Sequence, residues 1–248
     1  IMSSDWSSDV CSSDLCMPAL SSGEDSGPFF EVVAVAPSRV IEHEVDLKGP
    51  FDRKRTTTLL NGPRLFSHHV GFGENGIPEL RGYLNWYRIE KPANAQRHVV
   101  KIRGGLGGTD EQEITIENAT FLVSPTQRIA TGSPSHVPEG LGHFVAYQVV
   151  GAPPMENAVQ LKGSFGPEKR VATRPAYVCV PVEQWHHDEH FEIEKPNACQ
   201  LVYELKPHPL RTRITSIDQF GLIELRASSS KWLAVPVQLI SSRSAEED

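Results

Sequence analysis

The residues best able to do chemistry lie in one short segment, WHHDEHFE, which runs from Trp185 to Glu192. If this segment is extended, alternate side chains share one face, and that face would carry His186, Asp188, His190 and Glu192. Two imidazoles and a carboxylate can hold zinc or another divalent metal and leave a coordination position open, as hydrolytic metal sites require. One hypothesis is therefore a metal-dependent hydrolase that uses His186, Asp188 and His190. The alternative is a solvated polar loop, because the HExxH spacing of metallopeptidases does not occur here.

Aromatic residues around this segment suggest a second kind of site. Trp185 and Tyr177 could form an exposed platform on which a sugar ring stacks, as in many glycan-binding β modules. The alternative for such residues is core packing or cross-strand pairing. A glycan-binding module is therefore a further hypothesis.

Cys179 and Cys199 are candidates for a disulfide. If their strands are neighbours, the bond would close a loop of about twenty residues and stabilise the fold by roughly 3 kcal/mol. The alternative is two buried free thiols, since cysteine packs as a small apolar residue. Cys11 and Cys16 lie in the N-terminal segment 1–28, which is predicted to be artefactual or disordered, and are not candidates for this pairing.

The elements that would position these residues belong to an internal repeat with a period of about 56 residues. The first repeated feature is an alternating apolar pair followed by a glycine-containing turn and a large apolar residue, seen at Val45/Leu47/Phe51, Val100/Ile102/Leu106, Val159/Leu161/Phe165 and Thr215/Ile217/Phe220. The second is a short apolar run closed by proline, at Pro125, Pro181 and Pro236, with PRLFSHH as a copy that lacks the proline. The third is an alternating strand around a tyrosine, at Tyr87, Tyr147 and Tyr203. We therefore predict an all-β fold of four tandem units, with roughly three strands in each unit.

The fourth unit ends before its tyrosine strand, and a substitute for that strand lies near the N-terminus. The segment from Val33 to Pro37 precedes Val45 by the same interval by which Tyr203 precedes Thr215. This spacing predicts that the N-terminal strand completes the last unit, giving one closed array or two paired barrels or sandwiches. The alternative is a flanking edge strand. The prolines of the second feature are expected at strand ends.

The predicted domain spans residues 29–241, with an artefactual or disordered segment at 1–28 and a disordered tail at 242–248. The formal net charge is −7, and basic residues are not concentrated in a long run, which argues against a nucleic-acid surface. No stretch approaches the roughly 20 apolar residues of a transmembrane helix.

The combination of an apolar pair, the turn IDQFG (Ile217 to Gly221), the strand VCVP (Val178 to Pro181) and a Tyr-Glu-Leu strand resembles an uncharacterised repeat family. This family is a domain of unknown function in predicted exported bacterial proteins, and the resemblance covers about Val45 to Val237. Its members often carry cysteine in the second strand and before the tyrosine of the third, and only Cys179 matches that pattern. The family has no established activity to carry over, so the resemblance implies a fold and a secreted location. No cofactor is predicted.

Together these observations favour a non-catalytic extracellular or cell-envelope module with a binding or structural role. Its partner would be a surface, a glycan or a protein. Separately, Ser3 to Leu15 resembles translated sequencing-adapter read-through, as occurs in metagenomic gene models. That resemblance implies that the natural N-terminus is missing.

Overall fold

The computed structural model describes residues 28–73, 82–90, 97–108, 110–130, 132–163 and 166–245. Every regular element in these ranges is a β-strand, which confirms the predicted all-β class. The segment Ser3–Leu15 and the repeat residue Phe165 lie outside the described residues. The strands, in chain order, are β1 (Phe30–Pro37), β2 (His43–Lys48), β3 (Thr56–His69), β4 (Gly71–Phe72), β5 (Tyr83–Ile89), β6 (His98–Gly104), β7 (Glu111–Ala130), β8 (Ser133–Pro134), β9 (Phe144–Val150), β10 (Asn157–Gly163), β11 (Gly166–Pro181), β12 (Glu183–His186), β13 (Glu189–Phe191), β14 (Ala198–Asp218) and β15 (Gly221–Ser244).

Eight of these strands pair side by side into a closed antiparallel ring. The order around the ring is β1, β3, β5, β7, β9, β11, β14 and β15, and β15 then pairs with β1. Phe30 in β1 is opposite His69 on one side and Ala234 on the other. The prediction that an N-terminal strand closes the array is therefore confirmed, and closure removes the two free edges that an open sheet would present.

The ring strands alternate between two of the repeated features. The strands with the apolar run, β3, β7, β11 and β15, are separated by the strands with the tyrosine and by β1, which takes the place of a tyrosine strand. The number of repeat units itself stays a prediction.

The interior of the ring is filled by apolar side chains. One buried cluster takes at least one residue from each of the eight ring strands, which identifies it as the interior. Its buried members are Phe30, Val32, Leu65, Leu84, Trp86, Phe121, Val123, Phe144, Ala146, Cys179, Val202 and Ala234. The indole of Trp86 donates a hydrogen bond to the Ser67 hydroxyl over 3.1 Å, so the largest interior side chain also has its polar atom satisfied.

The outer face of the ring is covered by hairpins that contain the first repeated feature. Strands β2, β6 and β10 each pair with the beginning of the ring strand that follows them, and β14 pairs with β15 in the same way. Their apolar residues, among them Val45, Leu47, Val100 and Ile102, join a second and larger core with the outward-facing residues of the ring. Burying these alternating faces against the ring is the main source of stability for the hairpins.

Tyrosines of the third feature bind the turns of these hairpins. The Tyr87 hydroxyl donates to Asp218 Oδ2 over 2.8 Å, and the Tyr203 hydroxyl accepts a hydrogen bond from the backbone N–H of Leu106 over 3.1 Å. A Cβ atom at Gly105 would lie 2.6 Å from the Tyr203 hydroxyl, and Gly105 also has a φ of +95°. Glycine is therefore required at this turn both for its conformation and for the close approach of the tyrosine.

The closing strand β1 carries a buried charged cluster, which is centred on Glu31. Glu31 lies 3.3 Å from Arg170 Nη1 through one carboxylate oxygen and 3.3 Å from His68 Nε2 through the other, and it accepts a hydrogen bond from the Ser230 hydroxyl. All four residues are buried, and they come from the four strands β1, β3, β11 and β15. The cluster therefore ties the N-terminal strand to three other strands of the fold.

Two predicted boundaries differ from the structure. Strand β15 continues through Ser244, which is opposite His98 in β6, so residues 242–244 are not the disordered tail that was predicted. Pro125 and Pro236 lie inside β7 and β15 rather than at strand ends. The pairing of β7 with β9 ends at Val123, before Pro125, and the pairing of β15 with β1 ends at Ala234, before Pro236. The N–H group that each proline lacks is therefore not needed for that pairing.

Among the residues that the structure describes, no helix is long and apolar enough to cross a membrane.

Candidate functional site

The segment with the predicted metal ligands forms a tight hairpin. In this hairpin Trp185 is opposite His190 and His186 is opposite Glu189, while His187 and Asp188 form the turn. His187 adopts a positive φ of 54°, which reverses the chain direction. Residues opposite each other share a face, so His186 and His190 point to opposite faces of the hairpin. The expectation that an extended segment places His186, Asp188, His190 and Glu192 on one face is wrong, because the chain turns in the middle of the segment.

The outer face of the hairpin carries Trp185 between two cationic or titratable side chains. The His190 ring stacks on Trp185 with centroids 4.4 Å apart, and the Arg55 guanidinium carbon lies 4.7 Å from the same indole. His190 belongs to β13 on one side of β12, and Arg55 pairs with Asp46 of β2 on the other side, so the two residues cover opposite faces of the indole. Neither face is left open for a sugar ring.

Tyr177, the other residue of the predicted aromatic platform, lies elsewhere. It is half-buried in β11 and packs edge-on against Phe121 with ring centroids 5.7 Å apart. Trp185 lies in β12 instead, beside Asp46 of β2. The structure therefore does not bring Trp185 and Tyr177 together into one platform.

The inner face of the hairpin brings His186 beside His43, a residue that the sequence analysis did not single out. The two rings are 6.1 Å apart and nearly perpendicular, and both contact the Phe220 ring, at 4.6 Å from His43 and 4.9 Å from His186. Trp185 is opposite Asp46, so one further step of the register sets His186 opposite Val45 and makes His43 its diagonal neighbour on the same face. No signal in the sequence could identify this pair, because it depends on the pairing of β2 with β12, which are far apart in the chain.

Burial and neighbouring histidines lower the pKa values of both His43 and His186. Burial lowers the pKa of His186, and the neighbouring His187 lowers it further, against a smaller opposing effect of Glu189. Burial also lowers the pKa of His43, with additional lowering by the charges of His186 and His187. Both imidazoles are therefore neutral at neutral pH and present a nitrogen lone pair.

The histidines lie at an open groove of about 350 Å³. The groove is lined by Glu42, His43, Glu44, Val45, Asp46, Arg55, Trp185, His186 and His187. Asp46 accepts hydrogen bonds from Thr57 and Arg55, and these two contacts lower the pKa of its carboxyl group. Glu42 and Glu44 are exposed, and neither forms an ion pair with a residue that the structure describes. The groove therefore has two uncompensated carboxylates beside a pair of neutral imidazoles.

A complete metal site is not preformed in the described part of the chain. No group of three or more His, Cys, Asp or Glu side chains there is arranged to hold an ion. His190 instead lies 3.5 Å from Glu183 and 3.9 Å from Glu192 in ion-pair geometry, which gives it and Glu192 a structural contact on the outer face.

The two candidate disulfide cysteines are free thiols in the structure. Cys179 is opposite Gln200, so Cys199 is one residue out of register with it and points to the other face of the sheet. Cys179 accordingly packs in the ring interior and Cys199 in the outer core. Burial raises the pKa of both thiols, that of Cys199 to about 12, which makes both unreactive.

The buried cluster at Glu31 contains a serine, a histidine and a carboxylate but does not form a catalytic triad. The Ser230 hydroxyl donates its hydrogen bond to Glu31, so the His68 imidazole is not the base that takes the serine proton. Arg170 donates further to the Ser230 hydroxyl over 3.1 Å and to the Lys206 carbonyl over 2.8 Å. These contacts indicate a structural role for the cluster.

Comparison with known families gives a match over more than half of the chain. A family model described as a repeat of unknown function (DUF7450) matches residues 83–236. No curated protein and no solved structure matches the chain.

Proposed function

Because the chain belongs to the family of repeats of unknown function termed DUF7450, we propose its function from its own groove: it is a non-catalytic module that binds cationic side chains of a protein partner. We further propose that it acts outside the cell or in the cell envelope, on the resemblance to repeats of exported bacterial proteins.

The proposal is carried by the state of three carboxylates, Glu44 and Asp46 in β2 and Glu42 just before it. Asp46 already pairs with Arg55, whereas Glu42 and Glu44 point into solvent at the groove without an ion-pair partner among the described residues. Carboxylates that line a concave surface concentrate their field there and attract cationic groups. The net charge of −7 adds a long-range attraction for cationic groups. A lysine or arginine side chain of a partner is therefore the chemistry that this groove fits.

The two other hypotheses receive less support from the geometry. A metal-dependent hydrolase using His186, Asp188 and His190 needs these side chains around one ion, and the hairpin turns His186 and His190 away from each other. A glycan platform needs a free aromatic face, and Trp185 is covered on both sides.

The proposal predicts a salt-dependent and site-specific interaction with a basic peptide. We expect the full chain to bind a fluorescein-labelled oligolysine peptide, as measured by fluorescence anisotropy at low ionic strength. The variant with Glu42→Gln and Glu44→Gln should bind about two- to thirtyfold more weakly, because two exposed charge pairs contribute about 0.2 to 1 kcal/mol each.

The matched control carries the same charge change on residues that do not line the groove, at Glu113→Gln and Glu139→Gln, both exposed. It should bind like the unmodified chain. Equal weakening in both double variants would show attraction to net charge alone and would overturn the proposed site, as would an absence of binding at every salt concentration.

A further inference from the structure

Two imidazoles line the groove, and their nitrogen atoms form no hydrogen bond with a described residue. The rings of His43 and His186 contact each other and Phe220, and neither side chain forms a hydrogen bond or an ion pair with a described residue. His186 is only 8% exposed, although it lines the groove. Because His43 is only half-buried and both residues line the open groove, their ring nitrogens are accessible to a ligand that enters it.

The geometry of the pair matches what a shared ion needs. Diagonal neighbours on one face of a sheet have side chains that converge within reach of each other. The ring centroids of His43 and His186 are 6.1 Å apart, and the His187 ring lies 4.1 Å from that of His186 at the rim of the groove. The rings therefore approach from two strands, with the open groove above them.

Three observations identify the chemical class of the ligand. The candidate ligands are imidazole nitrogens, which favour borderline transition-metal ions over magnesium or calcium. The exposed carboxylates of Glu42 and Glu44 line the same groove and attract cations. The groove is open to solvent, so water or a partner's side chain can complete the coordination.

We propose that His43 and His186 form an open two-histidine site for a divalent transition-metal ion such as Zn²⁺ or Ni²⁺, whose remaining coordination positions are filled by water or by a partner's side chain. This site differs from the set of His186, Asp188, His190 and Glu192 that the sequence pattern favours. It lies in the groove of the proposed function, but it needs no partner protein, so either proposal can fail while the other stands.

The test is a calorimetric titration of the full chain, produced without an affinity tag, with ZnCl₂ and with NiCl₂. We expect saturable binding of one ion per chain. The variant with His43→Gln and His186→Gln should lose that binding, and its far-ultraviolet circular dichroism and melting temperature will show whether it folds.

Two control variants make the result specific. His136→Gln with His208→Gln changes two exposed histidines elsewhere and should bind the ion like the unmodified chain. Asp188→Asn with His190→Gln and Glu192→Gln removes the alternative set but leaves His43 and His186, and it should also keep binding. Loss of binding in this triple variant, persistence of binding in a folded His43→Gln/His186→Gln variant, or no saturable binding to the unmodified chain would each overturn the proposal.

Discussion

Replacing Glu31 by Gln is expected to lower the free energy of unfolding by about 3 kcal/mol, because it removes one partner of a buried ion pair and leaves the other charge in place. Burial alone would raise the pKa of Glu31, but its contacts with His68, Ser230 and Arg170 together hold that pKa below its ordinary value. The carboxylate is therefore charged in the fold and compensates the buried Arg170. Glu168 remains 3.2 Å from Arg170 after the change, so the expected loss is at the lower end of the usual range.

Urea unfolding followed by circular dichroism measures this loss. The matched control is Glu113→Gln, which removes a surface partner of Arg243 and should leave the unfolding midpoint unchanged. Replacing Glu31 and Arg170 together by Leu and Met should cost less than the two single changes added, because no charge is then left buried alone. An unfolding free energy of Glu31→Gln equal to that of the unmodified chain would show that the cluster does not hold the closing strand.

The second large effect is a loss of stability in acid that depends on His143. Burial lowers the pKa of His143 from 6.5 to about 4, although its hydrogen bond with Gln219 acts in the opposite direction. The folded state then binds fewer protons than the unfolded state between these two values, so the contribution of His143 is fully present above about pH 6.5 and is lost as the pH falls towards 4. The difference corresponds to about 3 kcal/mol.

The measurement compares the pH dependence of unfolding in the unmodified chain and in His143→Gln, which keeps a hydrogen-bond donor for Gln219 but does not titrate. The unmodified chain should lose about 3 kcal/mol more than the variant between pH 6.5 and pH 4. His43, His98 and His186 also have lowered pKa values, but they are present in both proteins and cancel in the comparison. Parallel pH profiles would contradict the assignment to His143.

The repeat spacing predicts the fold well because the same packing contacts recur in successive units of the chain. A tyrosine at a fixed distance after an apolar run marks a strand that binds a hairpin turn, as Tyr87 and Tyr203 do. The same interval locates β1, although β1 has no tyrosine, because the strand must still fill the gap between β15 and β3. The spacing thus predicts the closing strand, although it leaves open whether the units form one closed array or two paired barrels or sandwiches.

The candidate site is less predictable because its residues meet through a pairing between distant strands. His186 lies beside His43 only when β12 pairs with β2, and neither segment carries a signal for that pairing. The turn at His187 and Asp188 lacks the glycine that commonly marks a tight hairpin, so an extended segment is the natural prediction from the pattern. One signal was available for the buried cluster, since Glu31 interrupts an otherwise apolar strand at a position of the buried face.

Closure of the ring also sets the geometry of the groove. Strands β3 and β11 lie opposite each other in the ring, and the hairpin strand β2 before β3 meets β12 after β11. A ring that did not close through β1 would leave β3 free to move relative to β15, and the groove between β2 and β12 would lose its fixed walls.

The most direct test of this account is a disulfide cross-link between β1 and β15. Ala36 is opposite Arg226, and both residues are exposed, so Ala36→Cys with Arg226→Cys should form a disulfide in a chain that also carries Cys11→Ser and Cys16→Ser. Ala36→Cys with Glu224→Cys, shifted by two residues, should cross-link far more slowly. Mass spectrometry of the digested, unreduced protein identifies the linked peptides. A rapid link at Arg226 alone is the predicted result, whereas no link at either position would contradict a ring closed by the N-terminal strand.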